Sequence, residues 1–215
     1  MDIDASEKEQ IDSLKKWWKE NGTSVVSGLL IGLSVLFGSR AWFSFQDRQM
    51  ESASDAYAQM MDALGKENLE QARSFANIVI TQHSGTSYAP LTALALAKIA
   101  VDEGTPEVAR NQLEWALEHA DTDELQHTAR IRLIRILLDQ ENYPEAGTLL
   151  TAQTAETDYQ YQYLALKGDL AIAQEDTDAA RAFYQEALDA MPAQASDRGL
   201  IQTKYDQIAL PDSGE

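Results

Sequence analysis

The chain has 215 residues, no cysteine, and 35 acidic against 17 basic side chains, for a formal charge of −18. An acidic surface of that size repels phosphate backbones and excludes a nucleic-acid-binding role. The missing cysteine excludes disulfides, thiol nucleophiles, thiolate metal sites and a lipid anchor on cysteine.

Residues 1–20 read as a cytoplasmic N-terminal segment. Ser6 and Glu9 have capping-box spacing, and Ile11, Leu14 and Trp18 then share one face, which predicts a short amphipathic helix at the membrane surface. The run from Asn21 to Ser39 carries no charge, and a hydrocarbon core of about 30 Å needs about 20 helical residues, so a transmembrane helix is expected over 21–43. Trp17 and Trp18 before the run, and Trp42, Phe43 and Phe45 after it, supply interfacial anchors. Ser39-Arg40-Ala41 also matches a small-x-small cleavage site, and cleavage there would release a soluble periplasmic adaptor. A retained anchor is favoured because the region ahead of the run is acidic and the run exceeds the usual signal core of about 7–15 residues. Lys8, Lys15, Lys16 and Lys19 precede the span, whereas Arg40 and Arg48 alone follow it closely. That bias predicts a single-pass protein with its N-terminus in the cytoplasm and its C-terminal domain outside. Ser24, Gly28 and Gly32 recur at intervals of four and form a candidate helix-packing face within the bilayer, although small residues are also common in spans for no such reason.

From residue 44 to 210 the apolar residues follow helical period, as at Leu113, Ala116 and Leu117, and strand-like alternation is lacking. Gly104-Thr105-Pro106 and Asn142-Tyr143-Pro144 mark turns, and Pro192 ends a helix. Ala180, Tyr184, Ala187 and Pro192, with Gly168 upstream, have the spacing of a tetratricopeptide repeat, and Ala146, Ala109 and Ala72 continue the series backwards at intervals of 34, 37 and 37. The fold expected is all-α: one transmembrane helix followed by a tetratricopeptide-like α-solenoid of helical hairpins. A capping helix closes it with Leu200, Ile201, Tyr205 and Ile208, and residues 211–215 form a frayed tail. The repeats depart from the consensus, since the bulky aromatic of the first helix is absent and the glycine between helices survives only as Gly104. An irregular helical bundle is the competing fold.

Several further segments share their order with one family. Glu20-Asn21-Gly22 enters the span and Gly38-x-Arg40-x-Trp42 leaves it; Tyr88-x-x-Leu91-x-x-Leu94-x-Leu96-Ala97, Leu166-x-Gly168-Asp169 and Ala180-Arg181 follow. On these residues the chain resembles, over nearly its full length, the YfgM-like ancillary subunits of the bacterial SecYEG translocon. The resemblance implies an inner-membrane protein with a periplasmic repeat domain. It also implies the SecYEG translocon, the anchored periplasmic chaperone PpiD and exported polypeptides as partners, and a regulatory role for residues 1–20.

Nothing in the sequence nominates a catalytic residue, a metal or a cofactor. His83, His119 and His127 lack metal-ligand spacing, His119 and His127 read as solvated helix residues, and neither a phosphate-binding loop nor a nucleophile elbow is present. If the first helix of each pair lines a concave face, Tyr57, Met61, Leu64, Leu91, Leu94, Val101, Ile131, Leu138 and Ile172 form an apolar trough with Lys98, Arg135 and Asp169 among them. Such a trough suits an apolar or amphipathic segment of a partner, and Tyr57 and Met61 occupy positions where a carboxylate clamp would need basic or asparagine side chains. The same side chains also suit packing against the protein's own C-terminal helix. The functions in view are a non-catalytic membrane-anchored scaffold, the released adaptor, and a membrane-tethered small-molecule-binding module.

Overall fold

A computed structural model describes the backbone of residues 3–151 and 158–209, with side chains over 10–151 and 158–208. The capping pair expected at Ser6 and Glu9 and the tail expected at 211–215 fall outside the described side chains. Among the described residues all regular structure is helical: α1 (Ile3–Gly65), α2 (Leu69–Gln82), α3 (Tyr88–Asp102), α4 (Pro106–His119), α5 (Asp123–Asp139), α6 (Tyr143–Thr151), α7 (Gln160–Ala173), α8 (Thr177–Ala190) and α9 (Arg198–Ala209). The chain divides into two compact units, Met1–Glu51 and Ser52–Glu215.

The first unit is the long N-terminal part of α1, which is long and apolar enough to cross a membrane. Its large side chains face outwards, with Phe37 70% exposed, so no core accounts for their hydrophobicity. Two hydroxyls inside the run bond back to the helix, Ser34 Oγ donating to the Leu30 carbonyl at 2.8 Å and Ser39 Oγ to that of Leu36 at 3.0 Å. The helix passes residues 20 and 21 without a break, so the stretch with Ile11, Leu14 and Trp18 is helical and continuous with the apolar run. Gly22 has its own reason to be small, since a Cβ there would come within 3.2 Å of the Trp18 ring, whereas Gly28 and Gly32 face open space.

The second unit is built from the last turns of α1 and from α2 to α9. Ala53, Ala56, Met60 and Ala63 are buried at spacings of three and four, the stripe by which α1 joins this core. Successive helices then pair as α1 with α2, α3 with α4, α5 with α6 and α7 with α8, and α9 packs on α8. Ala72, Ala109, Ala146 and Ala180 are each 0% exposed, which is why the series tolerates nothing larger. Gly168 marks the tightest approach, because a Cβ built there would lie 2.5 Å from the ring of Tyr184.

The turn inside each pair repeats in backbone as well as in sequence position. Glu67, Gly104, Glu141 and Glu175 all adopt left-handed φ between 58° and 70°. Each closes the preceding helix in a Schellman motif, with Asn68, Thr105, Asn142 and Asp176 donating their amides five residues back to Ala63, Leu137 and their equivalents Ala100 and Ala171. The next residue starts the second helix, and it is always a type with N-capping capacity; the Asn68 and Asp176 carboxyl or amide oxygens accept from Gln71 N and Ala179 N. Three of the four turns therefore hold a glutamate where the family consensus expects glycine, at a cost of roughly 1–2 kcal/mol each in intrinsic backbone preference. Between pairs, Arg110 of α4 grips the Glu145 carboxylate of α6 through both oxygens, at 2.9 and 2.8 Å.

Two substitutions separate backbone from packing effects. Gly104→Ala meets no neighbour and is expected to cost about 1 kcal/mol through backbone strain alone. Gly168→Ala must displace Tyr184 and is expected to cost about 1–3 kcal/mol. Denaturant unfolding of both variants checks the order, and equal losses would contradict it.

Candidate functional site

The first helices of the three leading pairs leave one face open. Tyr57, Met61 and Leu64 at the end of α1 and Leu91, Leu94 and Lys98 of α3 line a single trough of about 940 Å³, with Leu125 and Arg132 of α5 as its far wall. Met61 is 45% exposed, so this apolar lining meets solvent. A second depression of about 360 Å³ shares Lys98, Asp102 and Arg132 with the first and adds Val101 and Arg135. The two depressions adjoin along α3 and α5 at these shared side chains.

The other residues expected on this face lie elsewhere. Ile131 is 4% exposed and belongs to the main core with Leu133, Ile134 and Leu137, so its placement in the trough is corrected; Leu138 is half-buried against the same core. Asp169 is engaged by the protein itself, accepting from Tyr184 Oη at 2.7 Å and from Lys204 Nζ of α9 at 2.6 Å. The C-terminal helix thus takes up the face of α7, with Ile201 buried and Tyr205 and Ile208 packed against the α7–α8 cluster. Ile172 stays exposed and lines neither depression. Packing against the protein's own helix therefore holds at the C-terminal end of the array, while the N-terminal end is open.

Sequence reasoning missed Leu125, Thr128 and Arg132. The helix α5 buries an arc wide enough to include Ile131, Leu133, Ile134, Ile136 and Leu137, so apolar periodicity alone does not select the edge that faces the trough. The signal was present one position away, where Leu125, Thr128, Arg132 and Arg135 fall on a common stripe.

Titratable groups are either solvated or locked in structural bonds. Lys98 pairs with Asp102 at 2.7 Å, and Arg73 pairs with Glu103. His127, read from sequence as solvated, is buried: its Nδ1 lies 2.8 Å from Tyr163 Oη and its ring stacks on Tyr159 at 4.7 Å. Its sequence signal was the spacing to Ile131 and Ile134, which puts all three on one helical face. Burial, reinforced by Arg130, lowers the His127 pKa, and burial followed by the Asp169 hydrogen bond pushes the Tyr184 phenol far above its ordinary range. Neither group lines the groove. Among the described residues no cluster of histidine and carboxylate side chains could hold a metal ion.

Stacked helical hairpins, sealed at one end by an extra helix and open along one apolar face, define a helical-repeat domain, here carried on a long apolar helix. The family model of the tetratricopeptide repeat-like domain matches residues 15–210, and the chain belongs to that family. The match begins ahead of the apolar run, so the long helix is part of it. Among curated proteins, the chain is 29% identical over 202 residues to the "Ancillary SecYEG translocon subunit" of Aggregatibacter actinomycetemcomitans, covering 94% of this chain and 97% of that protein. It is 26% identical over 216 residues to the protein of that name from Escherichia coli strain K12, covering 98% of this chain and 100% of the other. With the one from Haemophilus influenzae it shares 28% identity over 183 residues, 84% of this chain and 88% of that protein.

The buried imidazole makes a pH prediction. A histidine whose folded pKa lies below its unfolded value of about 6.5 adds stability above that value and loses it as pH falls through the folded one. The unfolding midpoint is expected to drop between pH 7.5 and 5.5, and His127→Gln should flatten that slope. An unchanged slope in the variant would assign the acid sensitivity to other groups.

Proposed function

We propose that this protein is a non-catalytic, membrane-anchored interaction scaffold of the bacterial inner membrane, ancillary to the SecYEG translocon. Its repeat domain occupies the periplasm, and its groove receives segments of partner or exported polypeptides on their way to periplasmic chaperones. The observation that carries this reading is the extent of the likeness: it covers 94% and 98% of this chain against two ancillary translocon subunits, apolar helix included, rather than the repeats alone. Three features support it physically. The helix is long and apolar enough to hold the domain at the bilayer. The basic residues concentrate before it, which favours a cytoplasmic N-terminus. The open groove supplies apolar surface of the kind that binds short polypeptide segments.

As part of the same proposal, residues 1–20 are cytoplasmic, residues 21–43 span the bilayer, and residues 44–210 form the external domain. The stripe of Ser24, Gly28 and Gly32 is the face offered to another transmembrane helix, since among the described residues, chain neighbours aside, nothing lies within 4 Å of a Cβ at Gly28 or Gly32. The periplasmic chaperone partner, PpiD by family resemblance, is proposed on that resemblance alone.

Protease added outside spheroplasts is expected to digest the repeat domain and leave the N-terminal segment, and extraction in mild detergent should recover translocon subunits with the protein. Gly28→Leu with Gly32→Leu is expected to reduce that recovery severalfold without changing the melting of the repeat domain. Digestion only from the cytoplasmic side, or recovery of neither translocon subunits nor a periplasmic chaperone, would overturn the proposal.

A further inference from the structure

The repeat domain is strongly acidic, yet its few cations are not spread evenly. Eleven basic side chains follow Ser52. Lys66, Arg73, Lys98, Arg110 and Lys204 form ion pairs with carboxylates. Arg181 and Arg198 donate to the Ile208 and Leu188 carbonyls, Lys167 lies over the Phe183 ring, and Arg130 bears on the Tyr163 hydroxyl. Arg132 and Arg135 are the two that remain without a partner among the described residues, although carboxylates outnumber cations more than twofold in the chain after Ser52. Asp139 lies one turn beyond Arg135 and lines the same depression, but the two form no ion pair, while Asp102 is committed to Lys98.

Both unpaired guanidinium groups are exposed, and both edge the groove. They are three residues apart on α5, about 4.5 Å along the helix axis, so they present two cations in file. On one side of them lies the apolar lining of Tyr57, Met61, Leu64 and Leu91. An arginine fork is matched to carboxylates, and two forks one turn apart match two carboxylates at helical (i, i+3 or i, i+4) spacing. The remote acidic field opposes a uniformly acidic ligand, so the negative charge of the occupant has to be local.

We propose that the groove takes an amphipathic helical segment of another polypeptide, whose apolar face enters between Tyr57, Met61, Leu64 and Leu91 while a pair of carboxylates one turn apart docks on Arg132 and Arg135. This rests on the reading of the groove as a protein-binding surface and deepens it by stating the chemistry of the segment. Apolar contact supplies most of the affinity. The arginine pair sets register and discriminates against segments that lack the acids.

The test uses the full chain in lipid nanodiscs and three fluorescent 18-residue peptides with one leucine pattern, carrying Glu, Gln or Lys at two positions three apart beside the apolar face. Anisotropy titrations at low salt are expected to give the Glu peptide about fivefold tighter binding than the Gln peptide, and the Lys peptide the weakest. The preference among the three peptides should vanish in Arg132→Ala with Arg135→Ala, and should reverse in Arg132→Glu with Arg135→Glu. Raising NaCl to 0.5 M should erase the difference but not the binding. Equal affinity for the three peptides would overturn the arginine assignment and leave the groove reading intact. Binding of the peptides that Met61→Lys with Leu91→Lys leaves undiminished, or failure of all three to bind, would overturn both.

Discussion

A helix pair has two faces to bury and can bury only one within itself. In this domain the second face must be covered by the neighbouring pair, and the architecture follows from how that requirement is met along the array. The small residues at Ala72, Ala109, Ala146, Ala180 and Gly168 let the two helices of each pair close up, and the left-handed turns fix their relative direction. At the C-terminal end α9 covers what the last pair would leave open, with Lys204 satisfying Asp169 and Arg198 capping carbonyls of α8. Along α1, α3 and α5 no such covering exists among the described residues, and the groove is the part of the requirement they leave unmet.

The turns show how one backbone solution is held by different side chains. Glutamate at Glu67, Glu141 and Glu175 accepts the left-handed conformation that Gly104 adopts freely. The strain is tolerated because the bonds around it are complete: two backbone hydrogen bonds close the helix before it, and the next residue is placed to open the one after. A glycine count is therefore a poor guide to how many such turns a helical array contains. The cap that follows, asparagine, threonine or aspartate, is the more regular signal.

Much of this was legible in the sequence. The alanine series gave the repeat register, because close helix approach allows no larger side chain, and the charge-free run marked the long apolar helix by composition alone. The turn glutamates were not legible as turns, since nothing in their side chains favours positive φ. The groove was only partly legible. Its α1 and α3 walls place the lining residues on one helical stripe each, so Tyr57, Met61, Leu64, Leu91, Lys98 and the buried Leu94 at its floor were identifiable, whereas α5 is apolar over too wide an arc for the pattern to choose between Ile131 and Arg132. His127 was misread as solvated because one polar residue on a core stripe carries no mark of its hydroxyl partner, Tyr163, which lies 36 positions away.

The central claim is that the face formed by α1, α3 and α5 is open in the membrane-bound protein and receives other polypeptides. Photo-crosslinking side chains placed at Met61 and Leu91 in intact cells test it most directly, with Leu200, exposed on α9, as the reference position. The account predicts adducts to other polypeptides from Met61 and Leu91 that far exceed those from Leu200. Adducts confined to this chain's own helices, or equal yields at all three positions, would contradict it.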